Sequence, residues 1–261
     1  MARDESARGR PRATATRRGV LRAAAGAGAA LIVTPSTGRA ATQPPPRECR
    51  EDAQQILDTV LLAERIAISF YYTGLTTRAV IDDVSASPPS PGRNGARNII
   101  YLQSILAEER EHTNLLHDAG GRATAASFYF PAATFTRLGY TSRSGLFLQV
   151  FDLIETVLVG AYLAAIDNLG ILGRTDLAVL AIRILEAECK HRALGRALAR
   201  DDPADNITLE VEPFACVGDA ATALRPFLTG QGFRSGSTPP IPLPTRDQVA
   251  RVLQSPPQRR P

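Results

Sequence analysis

ILEAECKHR, Ile184 to Arg192, decides how this chain is read, because its Glu188-x-x-His191 pair repeats one met earlier. The earlier pair is Glu109-x-x-His112, in AEEREHTNLL (107–116). At ~100° per residue, positions three apart lie ~60° apart on a helix, so each carboxylate and its imidazole point to one side. Two other apolar helical stretches carry a carboxylate each: Glu64 in TVLLAERIAISFYY (59–72) and Glu155 in FDLIETVLVGAYL (151–163). One Glu-x-x-His pair alone is ordinary on a solvated helix. Here the chain has three histidines and two stand in such pairs. Glu155 lies among apolar residues, where a lone buried carboxylate is costly.

Two helices with a single Glu and two with Glu-x-x-His make a ligand set for two iron or manganese ions in a helical bundle. The candidate ligands are Glu64, Glu109, His112, Glu155, Glu188 and His191. Four carboxylates balance the charge of two divalent cations, and oxygen-rich donors with one imidazole per ion suit iron, with manganese as the alternative. Without metal, four close carboxylates repel one another and raise some of their pKa values. Glu108 stands four residues before His112 and competes with Glu109 for the ligand role. Asp152, three residues before Glu155, is placed to orient a ligand histidine. Tyr71 and Tyr162 each follow their helix's Glu by seven residues, hence on the same face. They are candidates to relay an electron, against the plainer role of core packing with a satisfied hydroxyl. His117 falls on another face, at a helix end.

The linkers give the topology. Helical spacing runs over about 50–80, 96–117, 146–168 and 175–200, with Thr175 or Asp176 as cap of the last. The Pro- and Gly-rich stretch 84–98 separates the first two, and the short turn 169–174 joins the last two as an antiparallel hairpin. Residues 118–145, without a clear period, are long enough to cross a bundle. The expected fold is therefore all-α: a four-helix bundle over 50–201, built as hairpin, crossover, hairpin, with an approximate internal two-fold. A C-terminal extension, 202–261, follows. ITLEVEPFACV (207–217) reads as extended, GDAATALRPFL (218–228) as a short helix limited by Pro226, and STPPIPLP (237–244) as a rigid linker. Thr245 to Gln248 fits a capping box before another short helix, and the chain is expected to end in disorder.

The net charge of +4 is concentrated at one end. Residues 1–40 hold eight of the 30 basic residues against Asp4 and Glu5, leaving 22 basic and 24 acidic residues beyond them. A nucleic-acid partner is thereby excluded for the bundle. Thr16-Arg17-Arg18-Gly19-Val20-Leu21-Arg22 precedes an uncharged run, Ala23 to Val33, and Gly38-Arg39-Ala40 offers a cleavage position. This resembles a twin-arginine export signal, with Thr first and Val in place of the usual Phe. Eleven mild residues are too few to span a ~30 Å bilayer, so no transmembrane anchor is expected after cleavage. A Pro-rich lead-in, 41–49, follows. The resemblance implies export to the periplasm or beyond the cell envelope, by a route that carries folded proteins. Disulfides are permitted there. Cys49 and Cys216 flank the bundle and can pair, while Cys189 sits about 100° off the metal face. Three cysteines leave three single-bridge choices.

LLAERIAISFYY (61–72), EEREH (108–112), FDLIETVLVGAYLAA (151–165) and EAECKHRAL (186–194) resemble the exported ferritin-like family that includes desiccation-related proteins. The resemblance covers residues 50–200 and implies a ferritin-like bundle with the six ligands named above. Where family members often carry a second carboxylate one turn on in the first helix, this chain has Ala67, which argues against an auxiliary iron site. Three functions remain open at this level. One is redox chemistry with Fe(II) and O2 or peroxide, including a dimanganese peroxide-consuming version. The second is a non-enzymatic stress or desiccation protein with a structural or vestigial metal clamp. The third is a binding module that recruits a partner through its Pro-rich tail. Oligomeric state is not read from the sequence.

Overall fold

A computed structural model describes residues 49–86, 96–136, 146–199 and 214–255. The export signal, the Pro-rich lead-in up to residue 48, most of the extended stretch expected at 207–217 and the C-terminal end from 256 lie outside the described residues. All described residues belong to one unit, 36–261.

Helix α1, Ala53–Thr76, opens with a capping box. Gln55 N donates to Asp52 Oδ1 at 2.8 Å, and Asp52 N donates to Gln55 Oε1 at 2.9 Å. Its apolar stripe, including Ile56, Val60, Ala63, Ala67 and Phe70, is buried. The helix does not run on to residue 80 as its spacing suggested. It breaks at Thr77, whose backbone is extended, and α2, Arg78–Ala86, restarts after it. At the break Thr77 N donates to Gly74 O, and Thr73, Thr76 and Thr77 donate their hydroxyls back to the carbonyls of Ser69, Tyr72 and Thr73. Such bonds offer carbonyls an alternative to the helical ladder, and three of them at β-branched residues weaken the last turns.

Helices α3 (Ala96–Asp118), α4 (Leu146–Ile171) and α5 (Thr175–Ala199) complete the bundle. The main packing is α1 on α3 and α4 on α5, with α1 also against α4. The α4–α5 turn closes with Gly173 at φ +69° and Arg174 N donating to Leu169 O. Neither residue expected to cap α5 does so. The helix begins at Thr175, and Arg174 O accepts the first helical bond, from Ala178 N. Helix α4 is long and apolar enough to cross a membrane, yet it is the central core helix, packed against α1 and α5 with Glu155 at its middle. Two glycines let neighbours close on it. A Cβ at Gly74 would collide with the Phe147 ring, and one at Gly195 would lie 2.9 Å from the ring of Phe151.

The extension is tied to the bundle more firmly than a linker would be. Helix α6, Val217–Thr229, lies against α1 and α4, and includes Pro226 in its last turn before Gly230 ends it at φ +68°. A Cys49–Cys216 disulfide joins its start to the foot of α1, selecting one of the three pairings left open. Beside it Gly218 N donates to Glu51 Oε1 at 2.6 Å, placing a carboxylate at the α6 N-terminus. STPPIPLP is not a free-standing linker. Its Ile241–Pro242 (β2) pairs antiparallel with Ser127–Phe128 (β1) of the crossover, and Ser237 bridges Pro131. Phe128, Phe130 and Phe227 are buried there, with Phe130 and Phe227 ring centroids 5.8 Å apart. Helix α7, Arg246–Gln254, starts at the expected capping box, Thr245 with Gln248, and packs on α3 and α1.

Candidate metal centre

The six ligand candidates come from four helices and meet in the middle of the bundle. Glu64 is on α1, Glu109 and His112 on α3, Glu155 on α4, and Glu188 and His191 on α5. Glu64, Glu109, Glu155 and Glu188 are fully buried, and the two imidazoles nearly so. Their donor atoms form two groups in which all lie within 4.8 Å of one another. One group is Glu64, Glu109, His112 and Glu188; the other is Glu109, Glu155, Glu188 and His191. Glu109 and Glu188 belong to both. Each group thus has one terminal carboxylate, one imidazole and two shared carboxylates. Carboxylates placed in this way can bridge two ions.

The atoms converge on a common space rather than on each other. His112 Nδ1 is 2.9 Å from Glu188 Oε1 and 3.4 Å from Glu64 Oε2. His191 Nδ1 is 3.0 Å from Glu109 Oε1 and 3.5 Å from Glu188 Oε2. In spite of these short separations, both Nδ1 atoms, Glu64 Oε2, Glu155 Oε2 and both oxygens of Glu109 and Glu188 lack a partner in hydrogen-bond geometry. Leaving buried polar atoms so costs about 1–3 kcal/mol each, more when charged. Cations coordinated by these oxygens and nitrogens would remove that cost, and a hard oxygen set with one imidazole per ion fits iron or manganese.

Ionisation without metal shows the same strain. Burial pushes the Glu109 and Glu155 carboxyls well above the usual carboxylate range, and the neighbouring charge of Glu188 adds to both. Burial also works against the charged form of Glu188, but its contacts with both imidazoles prevail and hold it down at about 2. The same contest runs in reverse at His112. Burial opposes its protonation, yet the Glu64 charge and the contacts with Glu188 and Glu64 lift it to about 10. His191 is buried too and is raised far above the ordinary histidine range by Glu108, Glu109 and Glu188. The metal-free site is therefore a cluster of imidazolium groups neutralising carboxylates, with protons where cations would sit.

Both tyrosines reach the centre, with their partners exchanged. Tyr71 donates its hydroxyl to Glu155 Oε1, and Tyr162 donates to Glu64 Oε1. Each follows one terminal Glu along its own helix and holds the terminal Glu of the opposite hairpin. Both rings are fully buried, and burial followed by the adjacent carboxylate charge (Glu155 for Tyr71, Glu64 for Tyr162) pushes both phenols well above their usual range.

Of Glu108 and Glu109, only Glu109 belongs to the two donor groups. Glu109 points inward, whereas the Glu108 side chain is half exposed and its Oε2 lies 2.6 Å from His191 Nε2. Its carboxyl is held below the ordinary range chiefly by that bond. Asp152, expected to orient a ligand histidine, has its Oδ1 3.9 Å from both Arg192 Nε and Arg196 Nη1 of α5. Its side chain is 43% exposed, on the outside of the bundle. Cys189 is outside the disulfide and half-buried, and His117 is exposed with Nδ1 3.1 Å from Gly121 O. A third acidic and sulfur group, Cys49, Glu51 and Cys216, is accounted for by the disulfide and the α6 N-terminus. One contact that sequence spacing missed is Glu108 with His191; the doubled Glu108-Glu109 was its trace.

No curated protein matches the chain. A family model described as "Ferritin-like domain" matches residues 52–201, more than half of the chain and all four bundle helices up to the end of α5. With a mainly helical fold and buried carboxylate and histidine clusters in the same span, the chain belongs to the ferritin-like domain family.

Proposed function

We propose that this protein holds a dinuclear metal centre, with iron as the metal, and uses it for redox chemistry with Fe(II) and O2 or peroxide. The observation that carries this reading is the pair of overlapping donor groups with unsatisfied buried atoms. Bound iron would supply one-electron steps between Fe(II) and Fe(III), with O2 or peroxide as the electron acceptor. The chain's own residues provide the rest. Glu109 and Glu188 are placed to be shared between two ions, while Glu64 with His112 and Glu155 with His191 complete the two positions. Tyr71 and Tyr162, both fully buried, fix the terminal carboxylates by hydrogen bonds. Their hydroxyls are also placed to pass an electron or a proton.

We further propose that the protein is exported through its Thr16-Arg17-Arg18 signal and serves in stress protection, as a member of the desiccation-related branch of the family. The signal-like order of residues 16–40 and the Cys49–Cys216 disulfide, which suits an oxidising compartment, support export. The test is anaerobic loading of the mature protein with Fe(II), then O2, followed by absorbance. Wild type should oxidise Fe(II), and Glu155→Ala should fold with unchanged helix content and lose the reaction. Oxidation retained in Glu155→Ala would sink the redox reading. Metal uptake without turnover would favour the structural clamp.

A further inference from the structure

We propose that Glu108 is a positioning residue that makes the two metal positions unequal, strengthening the one at His191. The inference rests on the dinuclear reading above and concerns a residue outside the six-ligand set.

Glu108 is on α3, four residues before His112, yet its carboxylate crosses to α5 and meets the outer nitrogen of His191. His191 presents Nδ1 to the donor group, so with Nδ1 as ligand its proton is on Nε2. Nε2–H then donates to Glu108 Oε2 at 2.6 Å. A carboxylate on the far nitrogen fixes the tautomer and ring orientation and makes the near nitrogen a stronger ligand. Half exposure lets Glu108 keep part of its hydration, so this pairing avoids the desolvation cost of a fully buried charge.

The internal two-fold shows what is particular about it. Glu108 and Glu109 stand four and three residues before His112; Ala187 and Glu188 stand four and three before His191. The mate of Glu108 is therefore Ala187, a buried methyl with no acceptor to offer His112. Everything else in the constellation has its counterpart: Glu64 and Glu155, Tyr71 and Tyr162, Glu109 and Glu188, His112 and His191. Among the described residues, the symmetry breaks at Glu108, which backs a ligand imidazole.

The test uses Co(II) as the probe, titrated into the metal-free, folded mature protein and followed by its visible absorption and by calorimetry. Wild type should bind in two resolved steps. Glu108→Ala should weaken one step by about 10- to 100-fold and leave the other in place. Glu108→Gln, which keeps an acceptor without the charge, should recover part of the loss. In the His112→Ala background, which retains the His191 position, Glu108→Ala should produce the whole loss; in the His191→Ala background it should change nothing. Where neither single-histidine variant binds cobalt, the two-step comparison of wild type with Glu108→Ala decides. Equal weakening of both steps, or no change, would overturn the proposal. A wild-type protein that takes up no cobalt would overturn the dinuclear reading and this one with it.

Discussion

The first hairpin, α1 with α3, and the second, α4 with α5, each bring two Glu, one His and one Tyr to the centre, but they do not hold them alike. The second closes through a three-residue turn, while α1 breaks at Thr77 and passes through α2 before α3 begins. More telling is the charge. Glu109 and Glu188 are counterparts, yet Glu109 is pushed up and Glu188 is held at about 2. Both imidazoles reach Glu188, whereas Glu109 meets only His191 at short range. Repeated sequence fixes which groups arrive at the centre. Which of them keeps its proton depends on contacts across the bundle, so equivalent positions in a repeat need not be equivalent acids.

The strongest test of this contrast removes the two shared carboxylates in turn. In the metal-free protein Glu188→Ala leaves two buried imidazolium groups short of their counter-charge and should cost about 3–5 kcal/mol, the scale for breaking a buried ion pair. Glu109→Ala removes a group held largely as the neutral acid and should cost about 1–3 kcal/mol. Urea unfolding near neutral pH reads both, and equal losses would refute the asymmetry. Both variants should fail to bind a metal pair, since each residue serves both positions.

Metal and pH come next. His112 is raised from ~6.5 in an unfolded chain to about 10 in the fold. Its contribution to metal-free stability is therefore fully present below ~6.5 and lost as pH rises through about 10. His191, Glu109 and Glu155, also raised, act in the same direction. Glu188 acts oppositely, but its window is lower, above ~4.3 and lost as pH falls through about 2. Metal must displace those protons, so its affinity rises with pH. Saturation at a hundredfold over Kd adds about 2.7 kcal/mol, and the melting-temperature gap between loaded and metal-free protein should be wider at pH 9 than at pH 6. A gap that narrows with pH would contradict the proton inventory.

Smaller effects sharpen the comparison. Tyr71→Phe and Tyr162→Phe each leave a buried carboxylate oxygen without its donor, and each should cost about 1–3 kcal/mol in the metal-free protein. Near-equal losses are expected because their bonds are two-fold mates, with partners exchanged between hairpins. The smallest change lies outside the two-fold altogether. Thr245→Ala removes the α7 cap, should cost about 1 kcal/mol and should leave metal uptake unchanged.

That the six candidate residues share inward faces of four bundle helices was legible in the sequence, because helical spacing determines which face a residue occupies. The capping box at Thr245 was legible for a similar reason, as its whole geometry lies within four residues. What escaped was tertiary. Spacing puts Tyr71 on the face of Glu64 but cannot say that its hydroxyl crosses to Glu155. Nor does spacing show that Asp152 turns to Arg192 and Arg196, or that Glu108 reaches across to His191. The pairing of Ile241–Pro242 with Ser127–Phe128 joins segments more than a hundred residues apart in strands too short to carry a period. The break at Thr77 falls within an apolar pattern that continues past it, so periodicity does not mark it.

The measurement closest to the central claim is elemental mass spectrometry of the protein after anaerobic Fe(II) loading and desalting, followed by O2 addition. The account predicts about two iron ions per chain and an absorbance change on oxidation, both lost in Glu188→Ala. A folded wild-type protein that retains no metal after loading would contradict it.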